Sequence, residues 1–552
     1  MNVVDLQVRS RRRDSCDVAL LLDGKPVFTD SVCIQSSSSR VRFAKRAVDA
    51  YPGLAGHEKG ISDRLLEFSL DPPHTPERVT SARESQADAL LRLAEDWECV
   101  HDSSSKAYAI LRSDGVRQVW PLDSGGFQQL LAGAYFRSEG RAASEQALRS
   151  ATSTLMAKAV HAGRRVDVFV RVAKVDDVAW IDLCDSSWRA IRIDAQGYRV
   201  VDEPDVLFVR RPGMQQLPEP VAGGDLTTFF ARFNFGGEDN QRLVAAVLVN
   251  WAMLTATYPV LALVAEQGSG KTTSTRALRR LIDPNSMDVR TPPMKTQDFF
   301  IASMHSHVLA FENLSGMPDN LADDLCRIST GAAFATRKLY SDAAEQQFRV
   351  ARPVILNGID DMTGRSDLAD RSVVLQLQPV EPHARRTEVE TWSDFDMHHP
   401  SWLGWVCSAI QGVLASKEPI GTVRERMADF SVIGSKLEQW FGWPAGSFSA
   451  AYRENRERAI LMALESSAIG VVVQRVVELH PKRMSAGDLL AVLDSKSTIL
   501  ERRHPGWPRS PKALMNAIRR LSPALRLAGI EVEELGRGGS GGTYQLGLRK
   551  VR

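Results

Sequence analysis

The chain has 552 residues, of which 43% are hydrophobic and 25% charged, and its net charge at pH 7 is +2. The length exceeds one hydrophobic core and implies about three or four domains, while the composition excludes fibrous, disordered and membrane-dominated classes. A balance this close to neutral names no partner, and six scattered cysteines (Cys16, Cys33, Cys99, Cys184, Cys326, Cys407) with no C-x-x-C pair argue against zinc or a disulfide framework and fit a reducing cytoplasm.

Residues 1–72 read as a small α+β unit. Arg9, Arg11, Arg12 and Arg13 are followed by no apolar signal core. Val18–Leu22 and Pro26–Phe28 flank Asp23-Gly24, a hairpin signal, and helical patterns follow at Arg40–Ala50 and Ile61–Phe68. Arg40, Arg42, Lys45 and Arg46 read first as a solvated helix face and second as a nucleic-acid contact. Asp71-Pro-Pro-His-Thr-Pro-Glu77 reads as a linker.

Residues 85–222 form an α+β accessory block. Helices are expected at Ser85–Ala94, Gln128–Tyr135 and Ala143–Ala162. Strands are expected near Cys99–His101 and Ala107–Leu111, then as hairpins at Val166–Val172, Ala179–Leu183, Trp188–Ile193 and Tyr198–Val201. Asp182 and Asp185 invite a metal-holding primase reading, but turn aspartates are the simpler account, since no further acidic or histidine cluster accompanies them. Arg189, Arg192, Arg199, Arg210 and Arg211 make a DNA contact conceivable.

The next block, 223–380, contains the most informative stretch. Leu243–Ala265 is an uncharged apolar run of membrane-span length, but Pro259 divides it, so a buried helix (Arg242–Thr255) and a core strand (Val260–Val264) are expected instead of a membrane segment. Glu266-Gln267-Gly268-Ser269-Gly270-Lys271-Thr272-Thr273 follows the strand, and a helix-prone segment, Ser274–Ile282, comes next. Strand, glycine loop, Lys-Thr and helix in that order surround a phosphate chain with backbone N–H groups. Lys271 would reach the β/γ-phosphates of ATP and the Thr272 hydroxyl would ligate Mg²⁺. The first glycine of G-x-x-x-x-G-K-T is replaced by Ala265, so Gly268 is expected to supply part of the missing backbone freedom.

A second apolar strand, Val308–Phe311, ends in Glu312-Asn313 about forty residues past Lys271. A carboxylate there can hold Mg²⁺ or orient water. Hydrolytic ATPases often carry two acids at this point, so either Glu312 serves both purposes or another group helps. A third strand, Pro353–Leu356, ends in Asn357, an amide that can bond a γ-phosphate. Arg371 opens a fourth, and it or Arg365 would be a finger on a neighbour's nucleotide; an Arg371–Asp370 surface pair is the plainer alternative.

With Ala333-Phe-Ala-Thr-Arg337-Lys338-Leu-Tyr340 between the second and third strands, the series resembles superfamily III helicases. More closely it resembles the poxvirus primase–helicase-like AAA+ proteins of phages, plasmids and integrated bacterial elements. The resemblance spans about 225–380. It implies a P-loop AAA+ core, a homo-hexameric ring that moves along or melts single- or double-stranded DNA, contacts with other replication proteins of the element, and DNA contacts from Arg337, Lys338 and Tyr340. Those residue types also suit phosphate neutralisation and base stacking. Members often carry a separate primase domain, and none is visible in this sequence.

Residues 381–455 read as a tryptophan-rich helical lid, and 456–552 as a winged-helix domain. Helices are expected at Arg456–Leu479, Asp488–Leu493 and from Ser510-Pro-Lys through Leu521. A glycine-rich wing follows, between Ile530–Glu534 and Thr543–Leu548. Glu501–Arg552 carries a charge of +7, which points to phosphate contacts from Lys512, Arg519, Arg520 and Arg537; a winged helix used only for protein contacts is the rival.

The sequence therefore reads as an α/β protein whose P-loop AAA+ core follows an α+β domain and precedes a winged helix. Its expected function is that of an ATP- and Mg²⁺-dependent DNA helicase or replication-initiator ATPase of a mobile element. An ATP-binding switch without translocation is the alternative, and a primase seated in 85–222 is the second.

Overall fold

The computed structural model describes residues 4–11, 15–70, 84–293, 295–314, 317–331, 333–337, 345–349, 351–358, 365–417, 425–479, 483–504, 506–538 and 543–550. Two compact units, Met1–Ala89 and Leu90–Arg552, make up the chain.

The first unit has an antiparallel sheet of β1 (Val4–Arg11), β2 (Cys16–Leu22) and β3 (Lys25–Val32), followed by α1 (Ser37–Ala50) and α2 (Glu58–Leu70). The expected hairpin is present. Asp23 and Gly24, at φ 48° and 76°, form the left-handed pair that a two-residue turn between twisted strands requires. Strand β1 was not anticipated. Of the basic residues on α1, Arg40 is buried with its Nη1 on the Ile34 carbonyl at 2.5 Å, and Arg46 pairs with Asp30 at 2.6 Å. Neither is a free cation for nucleic acid. The expected linker 71–77 lies outside the described residues.

Helix α3 (Gln86–Leu93) precedes the antiparallel sheet β4 (Glu98–His101), β5 (Ala107–Ser113), β6 (Val116–Pro121). Helices α4 (Gly125–Glu139) and α5 (Glu145–His161) start at Ser124 and Ser144, each hydroxyl accepting from the N–H three residues on. The short strand β7 (Val168–Phe169) pairs with the later β12 (Leu207–Phe208). Between them β8 (Val172–Val175), β9 (Val178–Asp182), β10 (Ala190–Asp194) and β11 (Gly197–Val201) form a meander. The single strand expected over Val166–Val172 is two strands, because Arg171 is held at φ 61° between them.

The expected boundary near residue 222 does not divide the core. Ile181 and Ile191 of the meander belong to the same buried cluster as Val247, Leu263, Trp402 and Phe430. That cluster backs the central sheet. After α6 (Thr227–Arg232) and α7 (Glu238–Ala252) come β13 (Val260–Val264), α8 (Lys271–Ile282), α9 (Thr296–His305), β14 (Leu309–Leu314), α10 (Asp319–Ser329), the hairpin β15 (Ala333–Arg337) and β16 (Glu345–Arg349), β17 (Val354–Gly358), α11 (Ser366–Ala369) and β18 (Ser372–Gln376). The sheet order is β14-β17-β13-β18, parallel throughout. Every residue of β13 and β17 is buried, as expected of parallel strands covered on both faces. The apolar run Leu243–Ala265 is therefore most of α7 plus β13. Among the described residues no single helix is long and apolar enough to cross a membrane.

Helices α12 (Glu388–Ala415) and α13 (Ala428–Phe441) cover the core, with Trp402 fully enclosed and Trp405 stacked on Phe441 at 4.7 Å. The helix expected over Arg456–Leu479 is instead α14 (Ser447–Glu465) and α15 (Ala468–Leu479), which meet at 91°. Ser467 turns the chain, its Oγ accepting from Gly470 N–H at 3.2 Å, so a serine stops one helix and starts the next. A domain boundary at 456 would fall inside α14. Beyond it, β19 (Arg483–Ser485), α16 (Ala486–Lys496), α17 (Ile499–Arg503), α18 (Pro511–Leu527), β20 (Ile530–Gly538) and β21 (Thr543–Lys550) close the chain, with sheet order β19-β21-β20. Ser510 caps α18 and Pro511 opens it, as the sequence indicated.

Candidate nucleotide site

The carboxyl end of β13 runs into the glycine loop, and α8 begins at Lys271. Ala265 is absorbed without strain. It is buried, its N–H points at the Gly358 carbonyl at 3.4 Å, and it is not among the residues at positive φ. The freedom is needed at Gly268 (φ 80°) and Gly270 (φ 76°), where glycines stand. Gly270 is the N-cap of α8 and supplies no side-chain cap, and no acid lies in the first turn. The positive end of a twelve-residue helix is thus left open to an anion. Ser269 is buried and its Oγ donates to the Glu266 carbonyl at 2.9 Å, which closes the loop on itself.

Lys271 Nζ donates to the Ala265 carbonyl and, at 2.7 Å, to the Glu266 carbonyl. Burial lowers its pKa from the usual lysine value, and Glu266 opposes that. The ammonium therefore sits in the loop mouth. Thr272 is exposed on the first turn and Thr273 is half-buried beside it, while Glu266 and Gln267 are exposed at the loop's outer edge.

Asn357, 2% exposed, donates from Nδ2 to Thr275 Oγ1 at 3.1 Å, and that hydroxyl donates to the Lys271 carbonyl at 2.9 Å. The tip of β17 is thereby fastened to the first turn of α8. Strand register brings Glu312 to the same level: Phe311 pairs with Leu356, Leu314 with Gly358, and Gly358 with Val264. Glu312 is half-exposed, and its N–H donates to the Arg290 carbonyl at 3.0 Å. Lys271, Asn357 and Glu312 stand together at the carboxyl edge of one parallel sheet, where α/β sheets bind ligands.

Two further features had no local signal in the sequence. Asp283, just past α8, accepts His307 and Val308 N–H at 2.9 Å each and Arg171 Nε at 3.0 Å; both partners of that ion pair are fully enclosed. Burial pushes the Asp283 carboxyl up, but Arg171, Arg279, His307 and the Val308 N–H outweigh it and leave the pKa below the usual value. Asn234, in the turn before α7, reaches the Ser269 carbonyl at 3.4 Å and the Gln378 carbonyl, so it braces the loop from the side.

Other expected site residues are placed differently. Arg371 lies at the opposite, amino end of the sheet: its carbonyl accepts from Val260 N–H at 3.0 Å, and Val260 faces Ser372. Five strand residues separate it from the loop of its own chain, roughly 15 Å. The Arg371–Asp370 pair is not formed. Arg371 Nη1 donates to the Asp367 carbonyl at 2.7 Å, and Asp370 faces Arg426 and Arg456. Arg365 is taken up by Asp323 at 2.7 Å and Asp367 at 2.8 Å.

In the accessory block, Asp182 receives Arg210 at 2.8 Å and Asp185 receives Arg189 at 2.6 Å. Arg192 pairs with Asp194, and Arg210 lies over the Trp188 ring at 4.2 Å. These carboxylates and arginines are committed to one another. No group of three or more metal-ligating side chains occurs among the described residues.

Lys512, Arg519 and Arg520 are exposed on α18, opposite its buried Leu514, Met515, Ile518 and Leu521. Arg337 ends β15 and Arg537 belongs to β20, but their side chains, like all of Lys338 and Tyr340, lie outside the described residues.

Residues 226–456 match the family of the actinomycete integrative conjugative element replication protein, and residues 469–551 match that protein's C-terminal domain. No curated protein matches. Among solved structures, an A-form apo structure of the NrS-1 C-terminal region (305–718) is similar at 10% identity and TM-score 0.35, covering 84% of this chain and 98% of that one. Another apo structure of the same region gives 10% identity and TM-score 0.36 over 85% and 100%.

Proposed function

We propose that this chain, a replication protein of an integrative mobile element by these two family matches, is an ATPase that couples hydrolysis to melting or translocating DNA. The observation that carries the proposal is the convergence of the Lys271 loop, Asn357 and Glu312 at the carboxyl edge of one parallel sheet. Lys271 and the open N–H groups of the first turn of α8 would hold the phosphates. The Thr272 hydroxyl and the Glu312 carboxylate would hold Mg²⁺, which when bound neutralises phosphate charge. A single carboxylate and a hydroxyl suit Mg²⁺, which takes few protein ligands and relies on the phosphates and water. Glu312 would orient the attacking water, and Asn357 would bond the terminal phosphate.

Arg371 cannot serve its own loop, so its target in this reading is the nucleotide of an adjacent copy, within a homo-hexameric ring. The AAA+ core and the terminal winged helix are part of the same proposal, with Lys512, Arg519, Arg520 and Arg537 on DNA phosphates and the β15–β16 hairpin, with Arg337, Lys338 and Tyr340, on the strand. The ion pairs of Asp182 and Asp185 favour no primase in the accessory block.

The test is nucleotide binding followed with a fluorescent ATP analogue and Mg²⁺. Lys271→Ala is expected to lose binding by about a hundredfold or more, and Glu312→Gln to keep binding while hydrolysis stops. Equal binding by Lys271→Ala and the unaltered chain would remove the site.

A further inference from the structure

A further cation, Arg385, stands beside the glycine loop. After β18 the chain continues along the loop: Leu377 N–H donates to the Val264 carbonyl at 2.9 Å and Val380 N–H to the Gly268 carbonyl at 3.2 Å. The segment then turns through Pro382–Ala384 before α12 begins at Glu388. This path carries Arg385 over the loop. A Cβ built on Gly268 would lie 3.4 Å from Arg385 Nη2.

Two nearby arginines are taken up by carboxylates, and Arg280 lies over the Trp392 ring at 4.5 Å. Arg386 donates to Asp394 at 2.8 Å, and Arg276 pairs with Asp288 at 3.2 Å and Glu388 at 3.1 Å. Among the described residues, Arg385 has no carboxylate or carbonyl partner. An exposed guanidinium with five donors, set against a loop whose own N–H groups and lysine attract anions, adds a second positive charge at that point.

We infer that Arg385 is a nucleotide-contacting residue that reaches over the glycine loop onto the phosphate chain. This inference rests on the nucleotide site proposed above and deepens it. It also gives the segment 377–387 a consequence. That segment joins the sheet to α12, so a phosphate held by Arg385 would add to the Leu377 and Val380 hydrogen bonds that already tie it to the loop.

The experiment uses the full chain with Mg²⁺ and compares Arg385→Ala, Arg385→Lys, Arg386→Ala and Lys271→Ala for affinity toward fluorescent ATP and ADP analogues. Arg385→Ala is expected to weaken ATP binding about tenfold or more, with an unchanged melting temperature in the absence of nucleotide, because the side chain is exposed. Arg385→Lys should recover part of the loss, since it keeps the charge without the fork, and Arg386→Ala should stay within about twofold of the unaltered chain. Should Lys271→Ala lose binding while Arg385→Ala binds ATP like the unaltered chain, the inference is overturned and the site stands. Should Lys271→Ala also bind normally, the site and the inference fall together.

Discussion

His307 and His399 are buried at the far end of α8 from the glycine loop, the first with its Nε2 2.6 Å from the Trp251 carbonyl and the second with its Nε2 3.2 Å from the Leu281 carbonyl. Burial lowers both to about 4, with Arg352 adding to the effect at His307. The unfolded chain takes up those protons near pH 6.5, the folded chain only near 4. Their contribution to stability is therefore complete above pH 6.5 and declines as the pH falls toward 4, by about 2 kcal/mol per histidine at pH 5. Urea denaturation at pH 7 and pH 5 should show this, and His399→Gln should make the pH dependence smaller. An unchanged midpoint between the two pH values would mean that the imidazoles are charged or hydrated in the fold. The strand, glycine loop and helix of the candidate site were legible in the sequence because their signal is local: Gly268, Gly270, Lys271 and Thr272 lie within five residues. Arg171–Asp283 was not legible, because its partners are separated by 112 positions and only the fold brings them together.

At the scale of elements, Asp283 joins three of them: the end of α8, the entry to β14, and Arg171 between β7 and β8. Asp283→Ala would strand a buried guanidinium and two buried N–H groups, for an expected loss of about 3–5 kcal/mol in the denaturation free energy of the second unit. Asn455 does comparable work at the sheet's edge. It accepts from Val374 N–H at 3.0 Å and donates to the Val374 carbonyl at 2.7 Å, closing the open side of β18. On α18, Lys512→Ala and Arg520→Ala should each weaken DNA binding nearly uniformly across sequences and lower the salt slope by about 1, which titration at several salt concentrations would reveal. No change in slope would leave α18 as a protein-contact helix. The strands and most helices followed from periodicity and caps. The α14–α15 corner did not, because Ser466-Ser467 inside an apolar helical pattern becomes a stop only when both flanking helices have surfaces to pack on. The shared core of the meander and the central sheet was equally invisible, since alternating strands do not announce which neighbour covers them.

For the whole molecule, the position of Arg371 at the far edge of the sheet from its own loop has a direct consequence. If copies associate head to tail, that edge of one meets the loop edge of the next. Arg371→Ala should then bind ATP normally yet hydrolyse it about 10³-fold more slowly, and native mass with ATP and single-stranded DNA should report a closed ring. A persistent monomer under those conditions would leave Arg371 without a target. Coupling of ATP hydrolysis to DNA is read by phosphate release from the purified chain with Mg²⁺-ATP, measured with and without single-stranded DNA. Release that rises on adding DNA and disappears in Lys271→Ala is the predicted result. ATP binding without any phosphate release, with DNA present or absent, would contradict it.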